Sequence, residues 1–363
     1  MHSCKVKFED FASIDNIKRC TYKALKGKKD RYDVERVICN IDEFALIIQD
    51  YVCDFYNFPH KPKIIKDGSS GKERKIIVPD LMEHVVHHMV VDALREVLSR
   101  GMIDHTYSSI PKRGLHQCAK KVKAWTQHGG KDVKYYLKLD IRKFFDSIDT
   151  DVLSKRLGKK IKDPDIRNIV NTILDATDRG IPIGFYTSHW FANWLLEPLD
   201  HIIEEKLDIS HYARYMDDMI LFSSNKRRLE EAKEVIAEWL RDAGLELKPG
   251  SKVERFDYIK HNEHHGKKLD FVGFVFYRNK VHLRKSTMLR ITRKARKIKK
   301  KGKFTIHDAR QLMSWLGWIE WADAYRIYAD FVAPHVTIKE CKRYISQYDK
   351  IQRELDKKLK EAC

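Results

Sequence analysis

The fold of this chain is decided by one stretch, His211-Tyr212-Ala213-Arg214-Tyr215-Met216-Asp217-Asp218-Met219-Ile220-Leu221-Phe222. Two adjacent carboxylates stand between two apolar runs rich in β-forming residues, which predicts a hairpin with an acidic tip. Adjacent carboxylates repel each other unless a cation neutralises them, and Mg²⁺ prefers carboxylate oxygens. On local grounds alone, a metal site and an ordinary solvated turn are equally good interpretations of this tip.

A second apolar run, upstream of the hairpin, supplies a third carboxylate. Residues 135–140 predict a strand that ends at Asp140. Three carboxylates at strand ends are the set that a two-metal site for phosphoryl transfer requires. We therefore predict that Asp140, Asp217 and Asp218 are catalytic metal ligands, with Mg²⁺ as the cofactor and Mn²⁺ as its alternative. The prediction requires Asp140 to lie next to the hairpin tip.

Composition favours a nucleic acid as the partner. The 363 residues are 43% hydrophobic and 34% charged, which is typical of a globular chain with room for more than one lobe. Lys and Arg number 71 against 52 Asp and Glu, a net charge of +19. A surface this positive attracts a polyanion, and the alternative is a generally basic protein without such a partner.

The cysteines and the hydropathy pattern favour the cytoplasm. Seven cysteines are scattered without the short paired spacings of a zinc ribbon or a disulfide framework. No apolar run approaches 18 residues and no secretion signal is evident, so we expect no membrane association.

Helical and strand patterns alternate along the chain. Residues 81–100 predict an amphipathic helix, residues 226–243 another, and residues 271–276 a further short strand. An antiparallel sheet built from residues 135–140 and 212–222 and backed by helices belongs to the α+β class.

A basic hairpin precedes the acidic site. Two β-prone runs, 61–65 and 75–78, flank a turn signal at residues 67–71. Although such a hairpin is often merely solvated, its cations beside a metal site are suited to a triphosphate, since Arg offers two donors and Lys a point charge. The candidates are Lys72, Arg74 and Lys75.

Other residues near the acidic motifs are candidates for the nucleotide site. Phe145 follows Asp140 by five residues, where its ring would contact the nucleotide sugar and exclude a 2′-hydroxyl; the alternative is a core aromatic. Ile183 and Gly184 form a turn that is suited to the floor of a nucleotide site, because glycine lets the backbone approach a ligand. Lys248 is either a proton donor to the leaving pyrophosphate or a plain surface lysine.

A basic helix is predicted at residues 284–303, which hold eleven basic and no acidic side chains. Such a stripe is suited to nucleic-acid phosphates, with binding that weakens as salt rises; the alternative is a solvated face. Arg113, in a loop before a helix, is a phosphate contact or part of a structural turn. The nucleic-acid candidates are Arg113, Arg284, Lys285, Arg290, Arg293, Lys294, Arg296 and Lys297.

Taken in order, these motifs resemble a reverse transcriptase over residues 60–325. The resemblance is closest to the compact bacterial enzymes of diversity-generating retroelements and to related defence enzymes, and it rests on residues 183–200 together with the acidic motifs. It implies a right-hand polymerase with an N-terminal helical extension (1–56), fingers (57–134), a palm (135–283) with a helical insertion of the fingers near 150–180, and a basic helical thumb with a C-terminal helix (284–363).

Two departures from the diversity-generating pattern bear on the nucleotide pocket. His189 stands where that pattern has glutamine, and Phe185-Tyr186 replace Asn-Leu. Mutagenic copying at adenine is therefore not carried over to this chain. Ile183 also replaces the glutamine that group II intron and retroviral enzymes usually carry.

Three functions follow from the resemblance. We expect synthesis of cDNA on a dedicated RNA in a diversity-generating retroelement; the alternatives are an anti-phage reverse transcriptase, working on a non-coding RNA or without ordinary templating, and a catalytically silent RNA-binding scaffold. The resemblance implies a structured RNA template, a DNA or RNA primer and deoxynucleoside triphosphates as partners. A small accessory protein or a second copy of the chain is a further expected partner.

Overall fold

A computed structural model describes residues 3–27, 32–66, 73–302 and 304–362. Backbone contacts divide the chain into two compact units. The first contains Met1–Cys118 and Tyr135–Val253, and the second contains Ala119–Lys134 and Glu254–Cys363. The domain boundaries predicted from the sequence stay predictions.

The first unit is mainly helical around one mixed sheet. Its helices are α1 (Phe8–Phe11), α2 (Ile14–Leu25), α3 (Tyr32–Cys39), α4 (Ile41–Cys53), α5 (Leu81–Ser99), the start of α6 (Leu115–His128), α7 (Phe144–Ser147), α8 (Thr150–Gly158), α9 (Pro164–Leu174), α10 (Tyr186–Leu195), α11 (Glu197–His201) with a π-helical turn at Ile202–Lys206, and α12 (Lys226–Asp242).

The strands of the first unit form a hairpin and a central sheet. The hairpin pairs β1 (Pro62–Lys66) with β2 (Glu73–Ile77). The central sheet has the order β3-β5-β6-β4-β7, with β3 parallel to β5 and the β5–β6 and β6–β4 pairs antiparallel. Its strands are β3 (Thr106–Tyr107), β4 (Tyr135–Asp140), β5 (Tyr212–Tyr215), β6 (Asp218–Ser223) and β7 (Val253–Arg255), the strand in which the first unit ends.

Helix α12 covers one face of the central sheet and forms part of the main core. Its side-chain cap is Asn225, which accepts a hydrogen bond from the backbone of Arg227 at 2.9 Å. Its apolar residues recur every three or four positions, so that one stripe faces β4 and β6. The buried side chains of this layer are Leu229, Ala232, Ile236 and Leu240 from the helix and Leu137, Leu139, Met219 and Leu221 from the strands.

The second unit combines small β-hairpins with helices. Its strands are β8 (Tyr258–Lys260), β9 (Glu263–His265), β10 (Leu269–Phe271), β11 (Phe274–Phe276) and β12 (Val281–Leu283), and a 3-10 turn spans Gly130–Val133. Its helices are the rest of α6, α13 (Lys285–Lys301), α14 (Ile306–Trp321), α15 (Tyr325–Phe331) and α16 (Ile338–Ala362). Helix α14 packs against α13, α15 and α16.

One strand prediction was wrong. Residues 271–276 do not form a single strand, because Val272 and Gly273 make a two-residue turn between β10 and β11, with φ of 43° and 85°. A side chain at Gly273 would lie 2.5 Å from the ring of Trp318, and that ring stacks on Phe274 with centroids 5.3 Å apart. Packing against Trp318 thus favours a tight turn that the apolar run alone does not reveal.

Candidate active site

The three predicted carboxylates meet at one end of the central sheet. β5 and β6 are joined by the turn Met216-Asp217, and Tyr215 pairs with Asp218. β4 runs antiparallel to β6, and its last residue, Asp140, is the register partner of Asp218. Residues paired in this way have Cβ atoms about 4.5–5.5 Å apart. The fold thus brings Asp140 beside the acidic turn, as the sequence analysis requires.

The turn that carries Asp217 is held in an unfavourable backbone conformation. Met216 is buried and has a φ of 58°, in the left-handed region, which costs roughly 1–2 kcal/mol for a residue other than glycine. Such conformations persist only where surrounding contacts enforce them. Here the guanidinium of Arg214 donates a hydrogen bond from Nη1 to the Met216 carbonyl at 3.1 Å.

Arg214 belongs to a fully buried polar network. Its Nε and Nη2 donate to the two oxygens of Asp200 at 2.7 and 2.5 Å, and the network also includes Asn193, whose Oδ1 accepts from Nη1 at 3.0 Å. Asp200 also accepts hydrogen bonds from Tyr212 and Thr106, at 2.7 and 3.0 Å. Because α10, α11, β3 and β5 each contribute a member, the network fixes the base of the acidic hairpin.

The acidic turn carries negative charge that its surroundings do not fully compensate. Burial, followed by repulsion from Asp218, raises the pKa of Asp217 to about 6, and Asp140 contributes in the same direction. The positive charge of Arg74 opposes this shift of the pKa. A carboxyl group with a raised pKa gains when a cation binds to its ionised form.

Two lysines supply part of the missing positive charge. Lys248 Nζ lies 2.9 Å from Asp140 Oδ2, and Lys138 Nζ lies 3.8 Å from Asp218 Oδ1. The hydrogen bond to Asp140 raises the pKa of Lys248. Within the described ranges, no three side chains among His, Cys, Asp and Glu are gathered into a ready-made ion site. The donor set still fits a hard cation such as Mg²⁺, which would replace these ammonium groups on the carboxylates.

Two predicted nucleotide-binding segments lie together. The Ile77 amide, at the end of β2, donates to the Ile183 carbonyl at 2.8 Å. Gly184 has a φ of 119°, and a Cβ on it would lie 2.1 Å from the Ile77 carbonyl oxygen, so only glycine fits there. This junction anchors the strand that bears Arg74 and the exposed Lys75. Lys72 and the predicted turn at 67–71 lie outside the described residues.

The paired phenylalanines after Asp140 have different surroundings. Phe144 is 2% exposed and belongs to the core, whereas Phe145 is only partly buried. The ring of Phe145 packs edge-on against His189, with centroids 5.4 Å apart. His189, one of the departures noted above, therefore contacts the residue predicted to select the sugar.

The predicted nucleic-acid residues of α13 and its N-cap, Arg284, fall into two groups. Arg284 is paired with Asp270 at 2.5 Å, Lys294 with the buried Asp308 at 2.6 Å, and Arg290 lies over the ring of Trp315. These side chains have partners within the second unit. The exposed group, which is available to phosphates, consists of Lys285, Arg293, Arg296 and Lys297.

The eighth predicted nucleic-acid residue, Arg113, is also engaged with its own chain. Its guanidinium donates to the Ile103 carbonyl at 2.6 Å and to the carboxylate of Asp104 at 3.0 Å. The structure thus favours the structural turn over the phosphate contact at this position.

Comparison with known families decides the class of protein. The family "Reverse transcriptase (RNA-dependent DNA polymerase)" matches residues 60–276, more than half of the chain and all three aspartates. The chain belongs to the reverse transcriptase family. The match confirms the predicted RNA-directed DNA polymerase class and the α+β right-hand polymerase fold.

Curated relatives agree with this family. The retron Ec73 reverse transcriptase of Escherichia coli is 25% identical over 234 residues, which are 60% of this chain and 70% of that protein. The group II intron-encoded protein LtrA of Lactococcus lactis is 25% identical over 159 residues, covering 41% of this chain and 26% of the relative. This reverse transcriptase thus spans most of the first relative but about a quarter of the second.

A structural comparison gives weak similarity only. Apo telomerase from Candida tropicalis aligns with a TM-score of 0.48 at 15% identity, covering 70% of this reverse transcriptase and 51% of that chain. Within the described parts of the chain, no helix has the length and apolar character needed to cross a membrane.

The pairing of Arg214 with Asp200 was not predicted from the sequence. Both stand in strongly apolar surroundings, where a lone charge is costly unless another charge pairs with it. That signal identifies each residue as one member of a buried pair, but the two are 14 positions apart and the sequence does not pair them.

Proposed function

We propose that this reverse transcriptase makes cDNA on a dedicated structured RNA, with Asp140, Asp217 and Asp218 as its catalytic metal ligands. The observation that carries the proposal is the register of the central sheet, which pairs Asp140 with Asp218 beside the Asp217 turn. The uncompensated charge of Asp217 supports it, since a cation is what the site requires.

Each residue has a role in this proposal. Asp140 and Asp217 would hold the two divalent cations, and Asp218 would have a more peripheral role. Two bound Mg²⁺ ions would activate the primer 3′-hydroxyl and neutralise the leaving pyrophosphate. The ammonium group of Lys248 is hydrogen-bonded to Asp140 in the structure. In this proposal it leaves Asp140 and donates a proton to the departing pyrophosphate. The residues proposed to bind the nucleotide are Lys72, Arg74 and Lys75 at the triphosphate, Phe145 at the sugar, and Ile183 and Gly184 at the base.

A double substitution tests the catalytic assignment. Asp217→Ala with Asp218→Ala should abolish incorporation of deoxynucleotides on a primed RNA template, because no carboxylate ligands remain on the turn. Binding of the same primed template, measured by fluorescence anisotropy, should stay within about twofold of the parent. Asp242→Ala, at the exposed end of α12, is the matched control and should keep full activity. Persistent synthesis by the double variant would refute the assignment.

Two biological roles remain for a polymerase of this kind. Residues 183–200 favour a diversity-generating retroelement, as the sequence analysis proposes. The replacement of glutamine by His189, together with the match to a retron enzyme, favours an anti-phage reverse transcriptase as the second candidate. A catalytically silent scaffold would have no need of three carboxylates gathered at one end of the sheet.

Sequencing separates the two roles. The protein is purified with its bound RNA, supplied with deoxynucleotides, and the resulting DNA and RNA are sequenced together. DNA that copies one genomic repeat, where a second, related repeat in the genome differs from it at scattered positions, indicates diversification. DNA copied from one non-coding RNA, or DNA without a template in the RNA pool, indicates the defence role. The same material identifies the primer, and mass spectrometry of it detects the proposed accessory protein or a second copy of the chain.

A further inference from the structure

A polar cavity of about 650 Å³ lies in the first unit, beside the segment that follows Asp140. Three separate stretches line it: the turn into α7, the loop before Ile181, and the end of α12 with the residues after it. Its charged lining consists of four cations and two carboxylates, namely Arg142, Lys143, Arg179, Arg241, Asp146 and Glu246.

Three of the four cationic side chains have no partner among the residues that the structure describes. Arg142 pairs with Glu246 at 3.3 Å, but the side chains of Lys143, Arg179 and Arg241 make no hydrogen bond or ion pair with any described residue. Unpaired guanidinium and ammonium groups around one concavity attract anions. The cavity therefore has free positive charge that its own carboxylates do not neutralise.

Backbone contacts hold the walls in place. The Ile181 amide donates to the Phe145 carbonyl at 2.9 Å, and a Cβ at Gly180 would lie 2.4 Å from that same oxygen. The loop of Arg179 is thus fixed against α7. On the opposite side, the Arg142 amide donates to the Glu246 carbonyl at 2.8 Å. The cations consequently converge from elements whose backbones are joined to one another.

The cavity lies close to the catalytic carboxylate. Ile141 pairs antiparallel with Leu247, and the Lys248 amide donates to the Asp140 carbonyl at 2.8 Å. On these antiparallel segments, Arg142 follows Asp140 by two residues and Glu246 precedes Lys248 by two residues. At roughly 3.3 Å per residue, the lining residue Arg142 is about 7 Å from Asp140 along the chain.

We propose that this cavity binds a diphosphate group, and specifically the inorganic pyrophosphate that polymerisation releases. The inference deepens the proposed function, since pyrophosphate is a product only if the aspartates catalyse nucleotidyl transfer. Guanidinium groups bind phosphate oxygens in a bidentate manner, and two of the free cations are arginines. The single apolar lining residue, Leu245, and the absence of aromatic lining argue against a nucleobase.

A calorimetric titration tests the site without catalysis. Inorganic pyrophosphate is titrated into the protein in the presence of EDTA, so that divalent cations do not contribute. Arg179→Ala with Arg241→Ala should weaken binding at least tenfold, because each lost charge-assisted hydrogen bond is worth about tenfold or more. The matched control is Arg227→Ala, an exposed arginine on α12 paired with Glu231 away from the cavity, which should leave the affinity unchanged.

A second ligand tests whether the cavity binds pyrophosphate or the phosphates of a nucleic-acid backbone. A single-stranded oligothymidylate of ten nucleotides is titrated into the same variants. If the double variant loses oligonucleotide affinity and keeps pyrophosphate affinity, the cavity serves a nucleic-acid backbone and the proposal is overturned. Equal pyrophosphate affinity in parent and double variant also overturns it. Arg179→Lys with Arg241→Lys, which keeps both charges, should recover part of the affinity.

The outcome is independent of the polymerase assignment. Asp217→Ala with Asp218→Ala should bind pyrophosphate in EDTA as well as the parent does or better, since two negative charges are removed nearby. If that variant still polymerises while the cavity variants lose pyrophosphate, the catalytic assignment fails and the anion site stands. If it is inactive and the cavity variants bind normally, only the anion site fails.

Discussion

Asp217 combines burial with two carboxylate neighbours, and this environment gives it a measurable effect on stability. Its folded-state pKa of about 6 lies above the ordinary value of an aspartate, so the folded protein holds this proton more tightly than the unfolded chain. As the pH rises from the pKa that Asp217 has in the unfolded chain to the pKa that it has in the folded protein, ionisation of its carboxyl group lowers the free energy of unfolding. This penalty is complete at pH 8 and largely absent near pH 4.

Asp217→Asn should consequently stabilise the metal-free protein. We expect a higher midpoint of thermal unfolding at pH 8 in EDTA, with a gain that shrinks as the pH is lowered towards 4, measured by differential scanning fluorimetry. Asp50→Asn, at an exposed position of α4, should give no gain that depends on pH in this way. A variant that is less stable than the parent at pH 8 would contradict the electrostatic account.

Divalent cations should reverse this order of stability. Mg²⁺ binds the folded site of the parent and raises its unfolding midpoint by mass action, whereas Asp217→Asn lacks an essential ligand. Titration of Mg²⁺ in the same assay should therefore raise the midpoint of the parent alone. The experiment needs no polymerase activity, and an equal rise in the two proteins would place the metal elsewhere.

Phe145 offers a second test at the level of single side chains. Phe145→Ala should raise the use of ribonucleotides relative to deoxynucleotides, because it removes the ring proposed to meet a 2′-hydroxyl. Single-nucleotide incorporation with matched rNTP and dNTP gives the ratio of kcat/KM values. Phe145→Tyr, which keeps the ring, should retain the discrimination of the parent. Unchanged selectivity in the alanine variant would remove Phe145 from the selection of the sugar.

At the level of the hairpin, Arg214 joins the buried pair with Asp200 to the turn that carries Asp217, because it donates hydrogen bonds to both Asp200 and the Met216 carbonyl. Removing one partner from a buried ion pair costs about 3–5 kcal/mol, because the other charge stays buried without compensation. Arg214→Met should therefore destabilise the protein strongly. Neutralising both members, with Arg214→Met and Asp200→Asn, should recover most of that free energy of unfolding.

Activity should not recover with stability. In the double variant the Met216 carbonyl still lacks its donor, so one of the contacts that hold the left-handed turn at Asp217 is lost. We expect kcat to remain reduced at least tenfold while the unfolding midpoint approaches that of the parent. Full recovery of kcat would assign Arg214 to stability alone, and a double variant as unstable as Arg214→Met would refute the buried-pair account.

The sequence predicted local elements better than contacts between them. The β5–β6 hairpin and the Asp140 strand were predictable because apolar runs and turn signals are local. The Arg214–Asp200 pair, the Lys294–Asp308 pair and the basic cavity join residues that are distant in sequence, and no period marks them. The turn at Val272 was missed for a related reason, since the contact with Trp318 that accompanies it lies 46 positions away.

For the chain as a whole, a net charge of +19 overstates the charge available to nucleic acid. On α13 and at its N-cap, Arg284, Arg290 and Lys294 have partners within the second unit, and only part of the stripe is exposed. The residues of α13 that can release counterions from phosphates are thus fewer than the sequence suggests. The slope of log affinity against log salt concentration is proportional to the number of such phosphate contacts.

The exposed and paired groups of α13 should therefore behave differently on substitution. Replacing Arg293, Arg296 and Lys297 by glutamine should lower the slope of log affinity against log salt by about 2 for single-stranded RNA, at roughly 0.7 per phosphate contact. Lys294→Gln, on the same helix, should leave that slope unchanged and lower the unfolding midpoint, because it leaves Asp308 buried without its cation. Fluorescence anisotropy at several salt concentrations measures both slopes. If Lys294→Gln lowers the slope as the exposed residues do, the ion pair with Asp308 opens when RNA binds and the division of α13 into two groups is wrong.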